Sequence, residues 1–408
     1  MPAPDVFVLD PNATDPDAEH KQLRAIGPAV KVDMLGVTVW SVNHPYLLKE
    51  LLANPDVSRD ARLHWSEYDE ALKTWPLILW VAVENMFTTY GETRARLRRL
   101  VAPAFTARRI QALKPTVDGL AAGLIARLAE RPAGEVVDVR TELASPLPVS
   151  VISHLMGVPP DQGHAFGQAI YSAFGSTDTL EQVMADGAHL IAMLEELIAV
   201  KRVTPGDDLT SQLIAARDTE GDGSALTETE LRDTLMLVIA AGTETTVNLI
   251  EQTIVLCLTH PEQLDHLRSG RATISDLVEE ALRCEPPFRH MPMRYAVHDI
   301  PLPDGQVIAQ GEAILASYAA ANRHPVWHQD ADTFDITRPV KEHVAFGHGV
   351  HFCLGSALGR LQTASTLAQF FEAFPDARLA VPVEELTLLP SLIFNGHRSL
   401  PMIMRPGR

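Results

Sequence analysis

Cysteine is scarce in this chain: three residues among 408, at positions 257, 284 and 353, with no regular spacing. That excludes a disulfide-stapled scaffold and fits a reducing compartment, so a cytoplasmic protein is expected. Positive charge is scarce as well. Thirty-four Lys and Arg face 52 Asp and Glu, a formal net charge of −18, which excludes a general nucleic-acid role. Long apolar runs are missing. The longest, Trp75 to Val83, has nine residues, about half of what a membrane span needs. Met1 to Asp10 shows no basic stretch followed by an apolar run, so no secretory leader is expected. What remains is a soluble, globular composition, 46% apolar and 21% charged. Neither internal repeats nor a low-complexity linker divides it, and residues 1–408 read as a single domain.

Helical periodicity dominates from about Gly91 to Ala281. It predicts segments at 94–102, 107–130, 142–156, 162–175, 180–202, 207–217, 227–260 and 275–284, separated by Pro, Gly and Asp. Ala29–Val42 alternates apolar and polar residues around Gly36 and predicts a hairpin; 44–53 predicts a helix. Short strand-like pieces follow at 293–296, 306–308 and 313–317, and the tail 385–404 reads as strand again. The fold class is therefore mainly α, with small peripheral sheets and one long helix.

That helix, 227–260, opens on a capping box of Thr227 and Glu230 and stops at Pro261. At about 1.5 Å per residue it is about 50 Å long and crosses the domain. Leu235 to Ala241 is apolar all round, the pattern of a buried rod. Then comes Ala241-Gly242-Thr243-Glu244-Thr245-Thr246. Polar groups there are costly unless paired. A threonine bonding back to the carbonyl four residues earlier, Thr245 to Ala241, would open the helix locally.

The richest segment is Phe346-Gly347-His348-Gly349-Val350-His351-Phe352-Cys353-Leu354-Gly355. Its glycines leave room beside the sulfur and reach backbone angles closed to other residues. A helix predicted from Ser356 would turn its partial positive charge toward a thiolate. A zinc site at His348, His351 and Cys353 is the rival, but no second Cys or His pair follows to complete four ligands.

The decapeptide resembles the haem-ligand signature of the cytochrome P-450 family, Phe-Gly-x-Gly-x-His-x-Cys-x-Gly, in all six specified residues. Ala241 to Thr246 is similar to the family's oxygen-activation motif. Glu280-Ala281-Leu282-Arg283 and Phe334-Asp335-Ile336-Thr337-Arg338, the latter after Ala321-Asn322-Arg323-His324-Pro325, resemble its buried ion network behind the cysteine loop. Asn85 to Gly91 and Leu97 to Thr106 look like actinobacterial members, some of which hydroxylate macrolactones or steroids. The resemblance spans essentially the whole chain.

It implies haem b, iron protoporphyrin IX, with Cys353 as the iron ligand. Phe346, Ala241 and Gly242 would touch the cofactor, and Arg94, Arg98, Arg294 and His351 would hold its propionates. The family usually has histidine where Arg94 stands. Thr245 and Glu244 would be catalytic, supplying protons to bound dioxygen. The substrate would be an apolar small molecule such as a steroid, macrolactone or other polyketide-like compound. Met86, Phe87, Leu237, Ala240, Ala241, His290, Met291, Ile393 and Phe394 are expected around it, with His290 and Asn395 as polar anchors and segment 171–190 as a mobile lid. Electrons would come from NAD(P)H through ferredoxin reductase and a ferredoxin docking on Arg96, Arg99, Arg108 and Arg109 of a monomer. Two other functions share the cysteine: a peroxide-driven peroxygenase, which needs no acid–alcohol pair, and a non-catalytic haem sensor, which needs an output domain.

Overall fold

The computed structural model describes residues 6–159, 161–174, 180–405 and 407. Helices form the body and sheets lie at its margins. A six-stranded sheet runs in the spatial order Phe7–Val8, Ala29–Asp33, Thr38–Val42, Ala313–Ala316, Met291–Ala296, Val57–Ser58. Ala29–Asp33 and Thr38–Val42 are the predicted hairpin, paired from Ala29 opposite Val42 to Asp33 opposite Thr38. The third predicted piece pairs in parallel with it, Val39 opposite Ala313. None of the described helices is long and apolar enough to cross a membrane.

Most predicted helices form within a few residues of their expected bounds, but two divide. The segment at 107–130 becomes Ala107–Ala112 and Lys114–Ala129, with Pro115 in the first turn of the second; a proline is suited to a helix start and not to an interior. The long helix divides into Glu228–Gly242 and Glu244–Thr259 at Thr243. The tail yields one strand, Pro401–Ile403, between Val136–Asp138 and Arg378–Leu379. The rest of 385–404 is loop joined by two isolated bridges, because Pro390 and Gly396 interrupt any ladder. The sequence also gave no warning of helix Pro16–Ile26, although Asp15 caps it by accepting the Ala18 N–H and Pro16 occupies its first turn.

The main core lies among the helices, with Leu235, Ile239, Ile250, Ile254, Phe370 and Phe374 buried. Gly242 belongs to this packing: a Cβ there would meet Ile152 Cδ1 at 2.6 Å, so a larger residue would require Ile152 of helix Pro146–Met156 to shift.

Candidate active site

Two glycines shape the loop ahead of Cys353. Gly347 and Gly349 have φ of +74° and +67°, and a Cβ on Gly349 would sit 2.6 Å from the Leu52 carbonyl oxygen. The loop closes when the Cys353 N–H donates to the Phe346 carbonyl at 2.9 Å. Helix Ser356–Ala373 begins there as predicted. Arg360 on that helix stacks 4.4 Å from the Phe346 ring centre and donates to Glu279 at 2.5 and 2.9 Å, which pins the loop from behind. Cys353 is exposed, which leaves its sulfur open to a ligand, although neighbouring groups crowd it. Burial pushes its thiol up, against the Gly355 and Ser356 N–H groups and against Arg98 and Arg360, which favour the anion. The helix start alone therefore does not make a thiolate; a bound cation completes the deprotonation.

Beside the cysteine stands a group of cations with no carboxylate among them. Burial first, then Arg59, Arg294, Arg94 and Arg98, drives the His351 ring well below its ordinary value, so these four guanidinium groups surround it. None has an ion pair among the described residues. Arg98 donates only to the Phe352 carbonyl, at 3.0 Å. Arg294 is 3% exposed, and its Nη1 has no partner. Arg59 is equally buried; it donates to the Pro292 carbonyl at 2.6 Å, lies 3.5 Å from the Phe87 ring centre and leaves its Nε unpaired. Buried charges are ordinarily paired. Four guanidinium groups gathered near His351 are the complement of an anion. Arg59 escaped the sequence reading because nothing around Val57-Ser58-Arg59-Asp60 marks it.

The divided helix carries a partly open face at its break. Met236, Leu237 and Ala240 are half-buried and Ala241 is exposed, so this stretch is not buried all round as its composition suggested. The threonines bond back along the helix: Thr243 Oγ1 to the Ile239 carbonyl at 2.9 Å, Thr245 Oγ1 to Ala241 at 2.6 Å and Thr246 Oγ1 to Gly242 at 3.3 Å. Glu244 accepts from Arg140 Nη2 at 2.6 Å, and Arg140 Nη1 donates to Glu251 at 2.6 Å and to Asn248 at 3.0 Å. Burial pushes the Glu244 carboxyl above its ordinary value although Arg140 pulls it down. Arg140, on a single wide turn at Arg140–Ala144, is the second residue without a sequence signal.

Several expected positions lie elsewhere. The buried His290 ring faces Ser317, Glu19 and His20, and Asn395 is held by Gln252 at 3.2 Å and Glu285 at 2.7 Å, so both polar anchors are committed within the framework. Met291 and Ile393 are buried in two separate apolar clusters; Phe394 stacks on Phe288, 5.2 Å between centres. Met86 and Phe87 are half-buried at the loop before helix Gly91–Val101. Arg96 pairs with Glu230, and Arg99 pairs with Asp218 at 2.9 Å and Glu92 at 2.7 Å. These two arginines are thus neutralised within the chain, which removes them from the free basic patch. The lid expectation falls partly on residues 175–179, outside the described residues. The group His348, His351 and Cys353 forms no metal-binding cluster among the described residues. The ion network is as expected: in its fully buried pair Arg283 donates to Glu280 at 2.7 and 2.9 Å, and the half-buried Arg338 joins at 3.3 Å.

An exposed thiol, an anion-binding wall and a helix face of small apolar residues together fit haem. Fold and sequence agree: the chain belongs to the cytochrome P-450 family, binds haem b and is a monooxygenase of that family. The family model, "Cytochrome P-450", matches residues 192–376. Among its relatives, the 2-hydroxy-5-methyl-1-naphthoate 7-hydroxylase of Streptomyces carzinostaticus is 36% identical over 403 residues, 98% of this chain and 97% of the relative. The cytochrome P-450 monooxygenase PikC of Streptomyces venezuelae is 37% identical, covering 97% and 92%. Of solved structures, CYP154A1 from Streptomyces coelicolor A3(2) superposes with a TM-score of 0.91 at 57% identity, covering 98% of this chain and 100% of that one. A structure described as "Testerone bound" CYP154C4 from Streptomyces sp. ATCC 11861 has a TM-score of 0.92 at 37% identity, covering 99% of both.

Proposed function

We propose that this enzyme, acting as one domain and as a cytoplasmic monomer, hydroxylates an apolar, fused-ring or macrocyclic small molecule: a steroid, a macrolactone or a related polyketide. The observation that carries the reading is the exposed Cys353 thiol close to Arg98, with three further arginines that have no acidic partner among the described residues gathered near His351. Haem supplies the oxygen chemistry, inserting one atom of dioxygen into a C–H bond. The chain's residues do the rest. Cys353 would hold the iron, Arg59, Arg94, Arg98, Arg294 and His351 would hold the propionates, and Phe346, Ala241 and Gly242 would contact the cofactor. Leu237, Ala240, Met86 and Phe87 orient the substrate and exclude water. Thr245 Oγ1, anchored on the Ala241 carbonyl, positions a proton, and Glu244 refills it from solvent along the Arg140 side. The raised Glu244 carboxyl holds a proton nearer neutral pH than an ordinary glutamate does.

The relatives support the substrate class, since their names specify a naphthoate hydroxylase, a vitamin D(3) 25-hydroxylase and a 6-deoxyerythronolide B hydroxylase. We further infer that electrons arrive from NAD(P)H through a reductase and a ferredoxin. The acid–alcohol pair Glu244–Thr245 favours this over a peroxide-driven reaction, which needs no proton relay. The test is a spectral titration of the purified haem protein with steroids and macrolactones, followed by turnover with ferredoxin, reductase and NADPH. A hydroxylated product formed without added peroxide is expected. Turnover only with peroxide, or no ligand-induced shift across the panel, would overturn the proposal.

A further inference from the structure

Where helix Pro16–Ile26 meets the six-stranded sheet, three side chains from two distant parts of the chain come together, and both histidines among them have unsatisfied nitrogens among the described residues. Glu19 and His20 come from that helix, and His290 immediately precedes strand Met291–Ala296. One ligand atom from each lies within 4.8 Å of the others. The two rings stand edge to face, 5.4 Å apart. His20 is 3% exposed and His290 1%. Both nitrogens of His20 and the Nε2 of His290 have no hydrogen-bond partner. Buried polar atoms left so are rare, and three in one place ask for an occupant.

A chain of hydrogen bonds orients the His290 ring. Ser41 Oγ donates to Asn43 Oδ1 at 3.0 Å. The Ser317 hydroxyl lies 2.6 Å from Ser41 Oγ and 3.0 Å from His290 Nδ1. That leaves His290 Nε2 turned toward Glu19 Oε1, at 3.8 Å. Glu19 is itself held in place, since its Oε2 accepts the Asp10 N–H at 2.8 Å.

We propose that Glu19, His20 and His290 bind a divalent transition-metal ion, zinc being the best match, at a site separate from the haem. Two imidazoles and one carboxylate form a borderline-soft donor set, and a neutral imidazole with its other nitrogen oriented by a hydrogen bond is the usual ligand form. Arg289, whose Nη2 is also unpaired, faces the same carboxylate. It offsets part of the negative charge, so calcium and magnesium, which are held by oxygen charge alone, are disfavoured. A cavity of about 10 Å³ lined by Asp10, Asp15, Glu19, Arg289 and His290 adjoins the site. It is the size of one water, which fits a fourth ligand. The ion would fasten the N-terminal helix to the strand that carries Arg294.

The experiment uses the haem-loaded protein, stripped with a chelator and titrated with zinc or with cobalt as its coloured substitute. The chain has 16 histidines, so the comparison is between variants. One zinc equivalent should be held by the native protein, and Glu19→Gln, His20→Gln and His290→Gln should each weaken it about tenfold or more. Ser317→Ala should do the same by removing the hydroxyl that orients the His290 ring, with the haem spectrum unchanged. Glu19, at the helix surface, keeps the test open if a histidine variant fails to fold. Equal zinc uptake by the native protein and by Glu19→Gln and Ser317→Ala would overturn the site; so would no uptake at all, which would leave Glu19 and His290 as a proton-sharing pair.

Discussion

Arg140 reaches Glu244 with one nitrogen and the fully buried Glu251 with another, both at 2.6 Å. A single guanidinium thus ties the acid of the divided helix to a carboxylate two turns further along it. Replacing Arg140 with methionine would strand two carboxylates, one of them without access to water. A loss of about 3–5 kcal/mol in unfolding free energy is expected from breaking a buried pair by removing one partner. Denaturant titration measures it; a loss of under about 1 kcal/mol, the range of exposed pairs, would contradict the buried arrangement.

Cys353→Ser should abolish the red-shifted Soret band of the reduced carbon monoxide complex. An unchanged spectrum would refute Cys353 as the ligand.

Thr245→Ala removes the hydroxyl bonded to the Ala241 carbonyl. Product formed per NADPH consumed should fall about tenfold or more, with peroxide released in its place, within the range of a lost proton-transfer group. Glu244→Gln should slow turnover with less uncoupling, because Thr245 remains. The measurement is the ratio of product to NADPH in each variant.

Arg59 has no acidic partner among the described residues, and its Nε is unpaired there. Arg59→Met should stabilise the haem-free form by about 1–3 kcal/mol, the usual penalty of an unsatisfied buried polar group. The same change should weaken haem retention, because a propionate loses its donor. Opposite signs in the two forms are the outcome to look for; destabilisation of both would argue that Arg59 only packs on Phe87.

Glu279 links the cysteine helix to the preceding loop. Burial alone would push its carboxyl up, but hydrogen bonds from Arg360 and His343, with their charges, hold it at about 2. A lowered folded value contributes stability above the ordinary value of 4.5 that is lost as pH falls toward about 2. The difference in urea midpoint between the native protein and Glu279→Gln should therefore be largest above about pH 5 and shrink below it. A pH-independent difference would locate the effect in packing.

In the proposed ferredoxin-fed cycle, docking would fall to the arginines least engaged within the chain. Arg108 is exposed, and Arg109 only approaches Asp207, at 3.7 Å. Reversing Arg108 should slow reduction by ferredoxin several-fold at low salt and much less at high salt. Reversing Arg96 or Arg99 should instead lower stability, since each has an internal acidic partner.

The local sequence determined the cysteine loop, the helix that follows it and the interruption at Thr243. Each depends on residues within one or two turns: positive φ that only glycine accepts easily, a helix start, hydroxyls that bond back four residues. The Glu280–Arg283 pair was legible for the same reason. What the tertiary structure decided was every partnership across distance. Arg59 and Arg140 carry no local mark, and only the folded chain brings Arg59 to His351 and Arg140 to Glu244. It also turned His290 toward Glu19 and Asn395 toward Glu285, and gave Arg96 and Arg99 their acidic partners. Charges and hydrogen-bonding groups are satisfied by whatever lies nearest in space, and that neighbour is set by packing, which no local spacing encodes.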